Sequence, residues 1–203
     1  IIEKGLDLDL GELLSVALKQ HAAADNSAEQ QQTILSYMFE RLRAWYEDQG
    51  ISAEIFLAVG AKGVTRPTDF DQRVKAVQAF AQLEEASALA AANKRVSNIL
   101  AKSELALGDA VDEALLQEEA EKGLFAAMQA SSQQVEPLFA KRDYTEGLKT
   151  LAVLRTPVDR FFDEVMVNAD DEALKKNRLT LLSQLQALFL EVADISLLVP
   201  AKK

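Results

Sequence analysis

Leu181, Leu185, Leu188, Phe189 and Val192 recur mostly at three- and four-residue steps, and this spacing, repeated along most of the chain, restricts the fold more than any other feature. Residues three and four apart stack on one side of an α-helix, whereas a half-buried strand needs strict alternation. Leu35, Met38, Phe39, Leu42 and Tyr46 carry the same period, as do Phe70, Val74, Val77 with the neighbouring Phe80, and then Leu89, Val96, Ile99 and Leu100. No run alternates well enough to be read as a strand, and only 8 Gly and 4 Pro punctuate 203 residues. The chain is expected to be all-α, a bundle of about eight helices, and its 49% hydrophobic content is ample for a buried core.

Start and stop signals divide the pattern. Asp7 and Asp9 precede a short amphipathic helix that runs into the polar stretch Ala24-Asp25-Asn26-Ser27, which reads as a linker. Residues 1–24 are therefore expected to end a preceding helical segment, and 25–203 to form the main domain. Ser27 with Gln30 has the spacing of a capping box, Gly50 stops the second helix, and Ser52 caps a shorter one. Gly60, Gly63 and Pro67 mark the most loop-like stretch, before a helix opened by Thr68 and Asp71. Residues 111–142 and 144–154 are helical by the same spacing, with Gly108 and Pro137 as expected breaks or kinks. Pro157 and Asp159 suit the first turn of a further helix, and the last is expected over about 171–194.

Absences narrow the chemistry. The chain has no cysteine, which removes disulfides, thiolate metal sites and a cysteine nucleophile, and fits a reducing cytoplasm. The single histidine, His21, has no second histidine or Glu-x-x-His pair to share a metal with, so an exposed or capping role is expected and no metal site. The chain begins Ile-Ile-Glu without a methionine, a secretory leader or an apolar run long enough for a bilayer, and reads as part of a longer protein. Two acidic groups, Glu118, Glu119 and Glu121, and Asp170, Asp171 and Glu172, are expected at helix starts or on exposed faces, where carboxylates complement the helix dipole.

Charge is unevenly distributed. The net charge is -10, yet residues 62–102 hold seven Lys and Arg against four acids, while 103–142 hold three against eight. Within the basic part, AAANKRVSNILAK (90–102) places Asn93, Lys94, Arg95 and Asn98 within two helical turns. Arg and Lys neutralise phosphate, and Asn offers both a donor and an acceptor to a base edge. Together with Arg66, Arg73 and Lys75 these seven residues are the candidate RNA contacts. Trp45, Tyr46 and Phe70 are the aromatics near enough in sequence to stack on unpaired bases, with the core as their alternative place. The other reading of the basic stretch is a solvated helix face, and of the whole chain a helical protein-interaction module.

The strings FERLRAWYEDQGIS (39–52), TRPTDFDQRVKAVQAF (65–80), AAANKRVSNILAK (90–102), RDYTEGLKTLAVLRTPVDRFFDEVMVNADDEALKKNRLTLL (142–182) and LFLEVADISLL (188–198) resemble the C-terminal region of the β subunits of bacterial tetrameric glycyl-tRNA synthetases, over roughly residues 33–198. The resemblance implies a helical anticodon-binding domain of the DALR type, similar to that of arginyl-tRNA synthetase, in a cytoplasmic two-α, two-β ligase. Its implied partners are glycine tRNA and the α subunit. ATP and Mg would serve the whole enzyme, and no cofactor is expected on this chain, which has no phosphate-cradling Gly-rich loop and no HIGH- or KMSKS-like motif. Glycine anticodons share two cytosines, which asks a reader for an acceptor to each N4 amine and donors to O2 and N3.

Overall fold

Short polar side chains at helix starts shape the architecture. In the computed structural model, which describes residues 1–20 and 28–199, Asp9 Oδ1 accepts the N–H groups of Gly11 and Glu12 at 2.9 and 3.2 Å and opens α1 (Leu10–Gln20). The roles expected for His21 and Ser27 lie outside the described residues. Helix α2 (Ala28–Glu47) ends in a turn closed by Gly50, whose φ of 79° suits a residue without a Cβ. Ser52 caps α3 (Ala53–Gly60), and Pro67 occupies the first turn of α4 (Pro67–Ala81), where its missing N–H costs nothing. Helix α5 spans Ala86–Ala101.

The stretch 111–142 is not one helix: a single 3-10 turn, Glu113–Leu115, precedes α6 (Glu119–Ala140). Pro137 does not break α6, because it sits on the exposed face, where the carbonyl it leaves unpaired remains in water. The helix ends instead at Arg142, a left-handed residue at φ 58°, where the Asp143 N–H returns to Leu138 O at 2.9 Å. Asp143 then caps α7 (Tyr144–Leu151), and the turn Ala152–Leu154 runs directly into α8 (Arg155–Glu164), two residues earlier than Pro157 suggests. Asp171 Oδ1 accepts from Ala173 and Leu174 at 2.8 and 3.1 Å to open α9 (Glu172–Leu190), and a last turn covers Ile195–Leu198. Among the described residues there are nine α-helices and no strand.

Helix α9 is the central element, packed against α5, α6 and α7, and every residue from 177 to 182 is buried. Its apolar members Leu181, Leu185 and Phe189 join Phe80, Leu89, Val96, Leu124, Leu148, Phe161 and others in one continuous core. A helix buried on all sides must bring partners for its polar residues, and three on α9 each grip a loop. The Asn177 amide exchanges two hydrogen bonds with the Asp112 backbone, at 2.8 and 2.9 Å, and Thr180 Oγ1 accepts the Gly108 N–H at 3.0 Å. The Arg178 guanidinium donates to Glu121 at 2.7 and 3.3 Å and to the Met166 carbonyl at 2.8 Å.

Glu121 stands at a helix start, as its acidic group is expected to, but its side chain is not on the surface. It stands in the first turn of α6 and its carboxylate also accepts the Gln117 and Glu118 N–H groups at 3.0 and 2.8 Å, but the residue is fully buried. Burial opposes its ionisation, yet the Arg178 guanidinium and the two N–H donors outweigh burial and hold the carboxyl below its usual value. A carboxyl depressed in the folded state contributes stability above its unfolded pKa near 4.3 and loses it as pH falls through the lower folded value. The melting temperature of wild type is therefore expected to fall more steeply between pH 5 and roughly 3 than that of a variant carrying Glu121→Leu with Arg178→Met. Parallel profiles by circular dichroism would contradict this.

Candidate nucleic-acid interface

The apolar stripe of α5 turns Leu89, Asn93 and Val96 inward, which leaves Lys94, Arg95, Asn98 and Lys102 exposed along its opposite side. Across from them stand Asn168, in the segment between α8 and α9, and Lys175, in the first turns of α9. These side chains, with Ser103 and apolar wall residues such as Ile99 and Leu179, line a cleft of about 540 Å³. It contains no carboxylate. Among the described residues Lys94, Arg95, Lys102 and Lys175 form no ion pair; Lys4, Lys19, Arg41, Lys62, Lys141 and Lys176 form none either, but none of these lines the cleft, whereas Arg43, Arg66, Lys75, Lys122, Arg142, Lys149, Arg155 and Arg160 are paired. In a chain of charge -10, four unneutralised cations around one hollow concentrate positive potential there.

Arg95 is held in a defined orientation. Its guanidinium carbon lies 4.2 Å from the ring centre of Phe162 on α8, a cation–π contact that fixes the plane and leaves the N–H edges available. That contact covers the Phe162 face, so the planar guanidinium, rather than the ring, is the surface on which a base can stack. Trp45, Tyr46 and Phe70 do not provide one. Tyr46 and Phe70 are buried in the core, the Tyr46 hydroxyl donates to Asp71 at 3.2 Å, and Trp45 packs edge-on to Tyr46 with ring centres 4.9 Å apart.

The other candidate residues are engaged elsewhere. Arg73 is buried: it pairs with Asp69 at 2.9 Å, donates to the Tyr144 hydroxyl at 2.8 Å and to the Val192 carbonyl at 2.9 Å, and also reaches the Glu191 carbonyl. Tyr144 in turn donates to Asp69 at 2.7 Å, and burial with that bond pushes its hydroxyl up to about 12. The Asn93 amide is buried and donates back to Leu89 O at 3.0 Å. Arg66 faces Asp7 and Asp9, both at 3.3 Å, and ties the first residues of the chain to the start of α4. Lys75 is exposed but pairs with Asp71 at 2.6 Å. The cleft thus gathers three of the seven, Lys94, Arg95 and Asn98, and adds Lys102, Asn168 and Lys175, with Phe162 beside it as the support of Arg95. Lys102 carried a sequence signal, lying two turns beyond Arg95 on the same face. The other three come from residues more than sixty positions away, and no local pattern points to them.

A family described as the DALR anticodon binding domain matches residues 89–195, more than half of the chain. The chain belongs to the DALR anticodon binding domain family. Every residue lining the cleft lies within the matched DALR region, while Arg66, Arg73 and Lys75 precede it. The chain is also similar to three proteins named glycine--tRNA ligase beta subunit. It is 54% identical to that of Vibrio cholerae serotype O1 over 198 residues, 98% of this chain and 29% of the relative. It is 55% identical to that of Marinobacter nauticus over 199 residues, again 98% and 29%, and 53% identical to that of Chromohalobacter salexigens over 196 residues, 97% and 28%. The chain spans less than a third of the length of the curated relatives it matches. Among the described residues of this DALR domain no group of three His, Cys, Asp or Glu side chains is arranged to hold a metal, and no helix is long and apolar enough to cross a membrane.

Proposed function

We propose that this chain is the C-terminal, tRNA-reading part of a glycine--tRNA ligase β subunit, and that the cleft between α5 and α9 receives the anticodon arm of glycine tRNA. The observation that carries the reading is the carboxylate-free cleft with four unpaired cations and two exposed amides in an otherwise acidic chain. Lys94, Lys102 and Lys175 meet phosphates as point charges, while Arg95 and Asn98 offer the donors and acceptor that a cytosine edge requires. Residues 25–203 act as the anticodon-binding domain, and 1–24 end the segment before it. Bond-making with ATP and Mg belongs to the α subunit in a cytoplasmic two-α, two-β enzyme, and this chain contributes recognition alone.

The test is binding and charging, by the assembled enzyme, of glycine tRNA and of the same tRNA with an exchanged anticodon. Arg95→Ala and Asn98→Ala are each expected to reduce discrimination between the two by about 1–3 kcal/mol, or roughly 5- to 150-fold. Lys94→Ala is expected to weaken both tRNAs alike and to lower the slope of log affinity against log salt by about one. Folded Arg95 and Asn98 variants that retain full discrimination would show that the anticodon is read elsewhere. A protein-interaction module would bind neither tRNA.

A further inference from the structure

Asn168 reaches the cleft from a segment that has no regular hydrogen-bonded structure of its own. After α8 the backbone turns extended at Val165 and bends at Val167 and Asn168; Val165 and Val167 are buried, at 6% and 8% exposure, and Met166 and Asn168 are exposed. The two buried valines flank Met166, so a shift of the backbone at Met166 would displace Val165 and Val167 from the core and move Asn168 relative to the cleft. The Met166 carbonyl, at the middle of this stretch, accepts a hydrogen bond from Arg178 Nη1 at 2.8 Å. Arg178 is 5% exposed and is itself oriented by the two contacts to fully buried Glu121, so a fork pinned on one side has its remaining nitrogen, Nη1, directed at one backbone atom. It stands one turn after Lys175 on α9, which makes the same helix the carrier of one cleft cation and the support of the opposite wall.

We propose that Arg178, oriented by Glu121, is a positioning residue for tRNA recognition: it fixes the backbone of residues 165–168 and so keeps Asn168 facing Lys94, Arg95 and Asn98 across the cleft. The proposal rests on the reading of the cleft as the tRNA site. Arg178 touches no RNA itself; its effect passes through the Met166 carbonyl to Asn168.

The experiment uses the full-length β subunit assembled with the α subunit, and reads KM for glycine tRNA, kcat and glycine-dependent ATP–pyrophosphate exchange. Glu121→Leu combined with Arg178→Met removes both charges together, so that neither is left buried alone and the core remains packed. Arg178→Lys is the second variant; it keeps a charge for Glu121 but cannot reach both partners with one ammonium group. Each is expected to raise KM for tRNA roughly tenfold with kcat and exchange unchanged. Asn168→Ala is expected to do the same in the wild-type background and to add little in either variant, since residues acting through one contact are not additive. Wild-type KM in either folded variant, or a full additional effect of Asn168→Ala in both, would overturn the proposal. If Asn168→Ala has no effect while Lys94→Ala and Arg95→Ala do, the positioning role falls and the cleft stands. If none of the three changes KM, the reading of the cleft falls with it.

Discussion

Arg73→Met is expected to lower the stability of this domain by about 3–5 kcal/mol, the usual cost of removing one partner of a buried ion pair. The guanidinium at this position bridges four groups that the chain brings together from far apart: Asp69 on its own helix, the Tyr144 hydroxyl on α7, and the carbonyls of Glu191 and Val192 beyond α9. Without it the Asp69 carboxylate is buried with only the Tyr144 hydroxyl and the more distant Arg142, at 3.8 Å, to balance it. The two carbonyls beyond α9 also lose their donor. For a domain of this size such a loss corresponds to a fall in melting temperature of roughly 6–20 °C. Thermal unfolding followed by circular dichroism measures it. A variant that melts like wild type but binds tRNA poorly would return Arg73 to the RNA contacts and contradict its place in the fold.

Leu185→Ala is expected to cost about 2–5 kcal/mol, because Leu185 is fully buried in the middle of α9 and the helices around it cannot close a void of that size without moving apart. The spread depends on how far α5, α6 and α7 relax toward the cavity. Denaturant titration gives the value directly, and an unchanged slope with a lower midpoint would locate the effect in the native core. A midpoint equal to that of wild type would make α9 a peripheral helix, which its packing does not allow.

Spacing alone places Leu185 in the core, where the structure has it. Arg73 and Asn93 lay on the same kind of stripe, Arg73 three residues after Phe70 and four before Val77, Asn93 four after Leu89 and three before Val96. Their chemistry suggests RNA, and Asn93 reads from the sequence as lying at the boundary and solvent side of its helix, yet both are buried. Burial follows because a helix face is a single rigid surface: once its apolar neighbours are covered, a polar residue among them is covered too and must find internal partners. Glu121 follows the same rule, as a helix-start acid whose carboxylate was claimed by Arg178, 57 residues downstream.

Residue spacing was enough for the helical class, for most helix positions, for the cap at Ser52 and for the lack of strands among the described residues, and residue order carried the family resemblance. These are local properties or linear patterns, set by backbone geometry within a few residues and by residue order. Which cations stand without a carboxylate partner was settled by how the helices pack. An arginine or lysine becomes available to a phosphate when no carboxylate reaches it, and that depends on which helices pack together. Arg66 was neutralised by Asp7 and Asp9, Lys75 by Asp71, and Arg73 by Asp69, whereas Lys94, Arg95, Lys102 and Lys175 converged from α5 and α9 on a hollow without acids. Phe162 under Arg95, and Asn168 opposite it, entered the site through the same packing, since contacts across sixty or more residues are fixed by how the buried faces of α5, α8 and α9 fit one another.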